Sequence, residues 1–165
     1  MNAKPTYEEL EQKVALLSRK VNEQQAVENQ YRNLVDSTSD SLYLVDSDCR
    51  YLFINQNHAR RLKMPQNDVA GLSYKDIHSP EQNAKFELKI KSVYQTGQSA
   101  FDEHQSARDG RYFLRTFSPV RDSSSPEPII AVAVVSKDIT PRREAEEALR
   151  KSEEKYRQLI EYSSE

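Results

Sequence analysis

Apolar positions in this chain change their rhythm twice, and the changes divide it into three. From residue 6 to 38, Tyr7, Leu10, Val14, Leu17, Val21, Tyr31 and Val35 step by threes and fours, with polar Gln24 and Glu28 in the same seam. That spacing predicts one long helix, started near Pro5, where a proline is tolerated. The narrow stripe suits a parallel coiled-coil seam better than a broad face laid on a core, although an amphipathic helix packed on its own domain shares the pattern. A second helix is predicted from Pro141 to about Tyr162, where Ala145, Leu149, Ser152, Tyr156 and Leu159 make a weaker seam. Thr140 before Pro141 predicts a hydroxyl cap at its start.

Between the helices the periodicity changes to short, β-rich runs. Ser41–Asp46 and Tyr51–Asn55 read as a hairpin around Ser47-Asp48-Cys49-Arg50. Asn57 to Leu62 reads as a short helix ended by Met64-Pro65, and Pro80 to Thr96 as a longer one stopped by Gly97. Three strands follow, Phe101 to Ala107, Arg111 to Val120 and Ile129 to Lys137. Asp109-Gly110 predicts a tight turn between the first two, and Asp122 to Pro128 a longer loop before the last. The order is therefore two strands, small helices and three strands, held between long helices.

Composition narrows the functional classes. The chain has 165 residues, 36% of them hydrophobic and 30% charged, with a formal net charge of −2. One ordinary domain with solvated helical appendages accounts for this. No cationic excess recommends nucleic acid or an anionic membrane. No apolar run reaches the ~20 residues of a membrane span, and no signal peptide follows Met1, so a cytoplasmic location is expected. A lone Cys49 excludes internal disulfides and cysteine-based zinc sites. Gly71, Gly97 and Gly110 are not spaced as a phosphate loop.

Tyr31-Arg-Asn-Leu-Val-Asp-Ser-Thr-Ser-Asp40 recurs as Tyr156-Arg-Gln-Leu-Ile-Glu-Tyr-Ser-Ser-Glu165, with four positions identical and five conservative. The echo predicts a tandem protein, with residues 1–30 a helical segment, 31–140 one module, and 141–165 a signalling helix and the start of a second copy.

The element order resembles a PAS sensory domain, an α+β fold with a five-stranded antiparallel sheet and small helices on one face. Tyr31 to Asp36 resembles the family's lead-in helix, Asp46 to Asn55 its first hairpin, and Asp109-Gly110 through Asp122 its penultimate hairpin. Asp138-Ile139-Thr140 resembles its exit motif. Cys49-Arg50 departs from the pattern where Gly is common. The resemblance implies a sensory segment of a bacterial signalling protein, such as a sensor histidine kinase, with the output domain downstream. It implies a homodimer joined by the terminal helices and a signal junction at Asp138, Ile139 and Thr140, where Asp138 bonds at the strand–helix boundary and Thr140 caps the helix. A ligand-free dimerisation spacer with a closed core is the rival reading.

Candidate chemistry is sparse. His58 and His78 read as surface or capping residues, and the facing of His104 is open. Haem-binding relatives place their ligand on the long helix near the cavity, and Pro80 to Thr96 holds no His, so haem is disfavoured. Flavin photochemistry of the LOV type needs a helical Cys, whereas Cys49 sits in a turn, so a flavin is disfavoured as well. No catalytic constellation emerges, because the Ser123–Ser125 cluster has no adjoining base and the carboxylates follow solvated helical patterns. The segment is read as non-enzymatic.

The informative residue is Arg115. Alternation places Phe113, Arg115 and Phe117 on one face, which the resemblance points inward. A buried guanidinium requires an acceptor. Either Glu103 or His104 would lie opposite, and the parity of Phe101 favours an inward Phe101/Glu103/Gln105 face. The expected outcomes are an Arg115–Glu103 pair in a filled core, or a cavity in which Arg115, Tyr43 and Ser136 bind a small anionic metabolite.

Overall fold

The computed structural model describes residues 6–122, 124 and 129–162. They form eleven elements: α1 (Tyr7–Asp36), β1 (Ser41–Val45), β2 (Tyr51–Ile54), α2 (Gln56–Leu62), α3 (Gln66–Val69), α4 (Tyr74–Ile77), α5 (Pro80–Thr96), β3 (Ala100–Gln105), β4 (Tyr112–Arg121), β5 (Ile129–Asp138) and α6 (Thr140–Tyr162). Most of the loop expected at Asp122 to Pro128 and the last residues of the C-terminal echo lie outside the described set. Two units separate, residues 1–38 and 39–165.

The first unit carries α1. Thr6 starts it with a reciprocal capping box: its hydroxyl accepts from Glu9 N–H while the Glu9 carboxylate accepts from Thr6 N–H. None of its side chains is fully buried, and Tyr7, Leu10, Val14, Leu17 and Val21 stand exposed along the predicted seam.

The second unit is a five-stranded antiparallel sheet in the order β2-β1-β5-β4-β3. β5, the last strand in the chain, occupies the centre because its Ile-Ile-Ala-Val-Ala-Val-Val run can be covered well on its inner face and pair on both edges. Helices α2 to α5 lie against the concave face. On α5, Phe86, Ile90 and Val93 recur at steps of four and three and are fully buried, so one stripe faces the sheet. They join Val45, Val132, Val134 and Phe117 from the strands, and each such side chain contributes roughly 1.5–3 kcal/mol on burial. Gly97 ends α5 with a φ of 66°, as its sequence position predicts.

The first hairpin explains the departure at Cys49. This residue adopts a φ of 59°, the left-handed conformation for which Gly is the common solution, and its side chain is buried. The Asp46 carboxylate accepts from Asp48 and Arg50 N–H, which holds the turn in this unusual shape. Burial also pushes the thiol up to about 11, so Cys49 is a poor nucleophile.

Candidate functional site

Register decides what the concave face presents. In the β3–β4 pair, Asp102 lies opposite Arg115, Glu103 opposite Leu114, and His104 opposite Phe113. The inward residues of β3 are therefore Ala100, Asp102 and His104, whereas Phe101, Glu103 and Gln105 face solvent. This corrects the expected Arg115–Glu103 pair and the inward Glu103 and Gln105. The connecting loop is longer than the tight turn predicted at Asp109-Gly110. It spans residues 106–111, closed by Ser106 N–H to Arg111 O and Gly110 N–H to Ser106 O. Relative to a two-residue turn, that length moves the partner of Arg115 from His104 to Asp102 without changing which residues face inward, and Phe101, on the outward parity, is 60% exposed. Gln105 donates to Gly110 O within this loop, and Glu103 pairs with Arg143 of α6.

A polar row consequently crosses the concave face from Ser41 through Ser136 and Arg115 to Asp102, one residue from each of β1, β5, β4 and β3. Arg115 is 4% exposed. Its Nε and Nη2 donate to the two Asp102 carboxylate oxygens at 2.8 and 2.7 Å, and its Nη1 donates to the Tyr74 hydroxyl at 3.2 Å. Burial works against the charge, but these acceptors outweigh it and raise the group's hold on its proton. The acceptor that a buried guanidinium requires is thus supplied from within the fold.

Aromatic rings fill the cup on either side of this row. Phe86 stacks on Tyr74 at 3.8 Å between centroids, and Tyr74 stacks on His78 at 3.8 Å. Tyr43 stacks on His58 at 4.3 Å, and Phe117 packs against Phe86. Of the remaining residues singled out from sequence, Tyr43, Phe113 and Ser136 border a small cavity beside Arg115, while Phe117 belongs to the filled core. That cavity has a volume of about 40 Å³.

His58 differs from its expected surface role, whereas His78 takes a capping position, at the C-terminal end of α4. His58 is buried because α2 turns His58, Ala59 and Leu62 toward the sheet as one helical face. Asn55 fixes that helix: its Oδ1 accepts from His58 N–H and Leu42 N–H, and its Nδ2 donates to Asp40 O. Neither ring nitrogen of His58 has a hydrogen-bond partner among the described residues. Burial, with neighbouring His78 and the guanidiniums, pushes it down to about 3. His78 is half-buried, with Nε2 3.3 Å from the Tyr51 hydroxyl, and burial lowers it to about 4. The sequence does not single out Tyr74 and Arg108, which line the cavity, or Asp102, which holds Arg115 beside it. Only the two-residue parity of β3, read from Arg115 instead of Phe101, could have exposed Asp102.

At the strand–helix junction the hydrogen bonds differ from those expected of a cap. Ile139 O accepts the first helical bond, from Arg143 N–H. The Asp138 carboxylate accepts from the helix's leading N–H, that of Thr140, at 2.9 Å. The Thr140 hydroxyl instead reaches sideways and accepts from Tyr112 N–H of β4 at 2.9 Å, while Ile139 N–H donates to Tyr112 O at 2.9 Å. Burial tends to raise Asp138, but bonds from Thr140 and the guanidinium of Arg111 at 3.3 Å prevail and lower it. Three residues therefore bind the start of α6 to two adjacent strands.

Comparison with solved structures places this fold. The PAS domain of Bordetella pertussis BvgS superposes with a TM-score of 0.59 at 20% identity, covering 77% of this chain and 96% of that one. A Vibrio cholerae sensory box sensor histidine kinase structure gives 0.54 at 17% identity, covering 73% and 98%. The Vibrio cholerae VqmA dimer without its target DNA gives 0.58 at 22% identity, covering 68% of this chain but only 52% of that one. At these identities the likeness is one of fold. No curated protein matches. No helix among the described residues is long and apolar enough to cross a membrane. The PAS fold family model matches residues 35–144, which takes in the sheet, its helices and the junction, and the chain belongs to that family.

Proposed function

We propose that this PAS domain is a sensory relay, dimeric through the seams of α1 and α6, that passes the state of its concave face through Asp138, Ile139 and Thr140 to a downstream output domain, a histidine kinase in the favoured reading. The observation that carries this is the sideways bond of Thr140 to Tyr112. It makes the first turn of α6 answer to β4, and β4 bears Arg115 and Phe117 on its inner face two and four residues beyond Phe113. A change in how β4 and β5 pair would alter the direction in which α6 leaves the sheet. Leu149, Tyr156 and Leu159 are exposed on α6 and available to a second copy. Small biases suffice, since coupling of ordinary strength is roughly 1–3 kcal/mol.

Spin labels at Lys155→Cys in the full chain test the relay by distance measurement, the native Cys49 being buried and unreactive. The expected result is a narrow distance between copies that broadens or moves in Thr140→Val. That variant strands Tyr112 N–H at a cost of about 1–2 kcal/mol, lowering Tm by roughly 2–6 °C. No dipolar signal between copies, or a distribution identical in Thr140→Val, overturns the proposal. The aromatic stacks favour a second reading, a dimerisation spacer with no ligand. That reading predicts that nothing is released from the purified protein on denaturation.

A further inference from the structure

We infer that the cavity beside Arg115 is a binding site for a small planar oxyanion of about three or four heavy atoms, of the formate or nitrate kind, held beneath Arg108. The inference rests on reading the domain as a sensor and names the class of molecule it would sense.

Size comes first. About 40 Å³ accommodates roughly three water-sized groups, far below the ~300 Å³ and above of pockets for ordinary metabolites. Haem, flavin and dicarboxylates are excluded on volume alone while the aromatic stacks stay in place.

Charge comes second. Three guanidiniums line the cavity, from Arg61, Arg108 and Arg115. Asp102 answers Arg115, and Asp109 lies 3.8 Å from Arg61. Arg108 is exposed, and among the described residues its guanidinium bonds only carbonyl oxygens, Leu62 O at 3.4 Å and Ile77 O at 3.2 Å, the last residues of α2 and α4. No carboxylate pairs with it among the described residues, so its charge stays open to an anion entering from solvent. A guanidinium fork is matched to a planar oxyanion in geometry as well as sign.

The third observation is His58. His58 lines the same cavity, and both its ring nitrogens are buried without a partner among the described residues. A neutral imidazole offers one N–H donor and one acceptor, and burying them unbonded is unfavourable. The ring stands against Tyr43 with its nitrogens closed off, so a turn of the ring toward the cavity would let an oxyanion take the imidazole N–H while it neutralises the Arg108 guanidinium. His78, His104, Gln82 and Ser136 border the remaining space. A cation does not fit: among the described residues no group of three His, Cys, Asp or Glu side chains could hold a metal.

Occupancy would reach the relay directly. Arg108 belongs to the β3–β4 loop, and Tyr112, the partner of Thr140, opens β4 at the end of that loop. Drawing Arg108 from the helix-end carbonyls toward an ion would move that loop against α6.

Histidine ring resonances of the labelled full chain, titrated at neutral pH in constant sodium sulfate, test the inference. Sodium formate and sodium nitrate are expected to shift the His58 signals saturably, with midpoints in roughly the millimolar range set by so few heavy atoms. Neutral formamide and the larger malonate are expected to leave them unmoved. Arg108→Gln is expected to weaken binding by about tenfold or more, while Arg108→Lys, which keeps the charge, retains most of it. Absence of a saturable shift with either ion, an equal response to formamide, or unchanged affinity in a folded Arg108→Gln protein overturns the inference. The spin-label distances at residue 155 are measured without added ion, so the relay can stand if the oxyanion site fails, and the reverse.

Discussion

Two arginine–carboxylate pairs sit back to back across β3 and behave differently. Asp102 and Arg115 meet on the concave side, 18% and 5% exposed, in a two-pronged pair further bonded to Tyr74. One residue along, Glu103 points to the opposite face and meets Arg143 of α6, both about half exposed. The chemistry is the same, but the first pair is largely withdrawn from solvent and the second is open to it. A buried pair is strongly destabilising to break and contributes little beyond an apolar equivalent while intact; an exposed pair can be made and broken at small cost. The inner pair is suited to fixing the shape of the sheet, and the outer one to setting the direction of a helix.

The largest expected effect comes from breaking the inner pair. Asp102→Ala leaves the Arg115 charge buried without its carboxylate and should lower unfolding free energy by about 3–5 kcal/mol, read by urea denaturation. A loss under about 1 kcal/mol would mean that Arg115 escapes to solvent and that the polar row is not rigid.

Acid should come next. His58 falls from its ordinary 6.5 to about 3 in the folded protein, and His78 to about 4. Below 6.5 the unfolded chain therefore binds protons that the folded one refuses. Stability is full above that value and is lost as pH falls toward the lowered values, at a limiting slope of about 1.4 kcal/mol per pH unit for each histidine. His58→Leu should flatten the loss measured between neutrality and pH 4.5, whereas Glu103→Gln should not.

The smallest effect belongs to the outer pair. Glu103→Gln should change unfolding free energy by less than about 1 kcal/mol, and added salt should erase even that. A larger or salt-resistant loss would show that the two pairs are not as different as their exposures indicate.

Much of the fold is legible in the sequence because local signals there agree with one another. Gly97 stops α5 where the helical stripe of Phe86, Ile90 and Val93 ends, and short β-rich runs mark all five strands. The candidate site is less legible because it depends on facing. One exposed aromatic, Phe101, outvoted the short carboxylate of Asp102, and parity on a strand reverses every neighbour at once. His58 looked like a surface residue among Asn57, Arg60 and Arg61, yet Ala59 and Leu62 share its side of the helix and bury it. Thr140 sits where a cap is expected, but the first helical bond ends one residue earlier, on Ile139 O, and the Thr140 hydroxyl turns to Tyr112 N–H. A one-residue offset of this kind is invisible to spacing alone.

The position of β5 has a consequence for assembly. Each of the two hairpins, β1 with β2 and β3 with β4, closes over a short stretch of chain, but in the sheet they are joined by the strand synthesised after both. Until residues 129–138 emerge, the nascent polypeptide holds two separate ribbons with unpaired edges. The same insertion that welds them delivers the root of α6, so a chain that fails to complete its sheet has no aligned rod through which to speak.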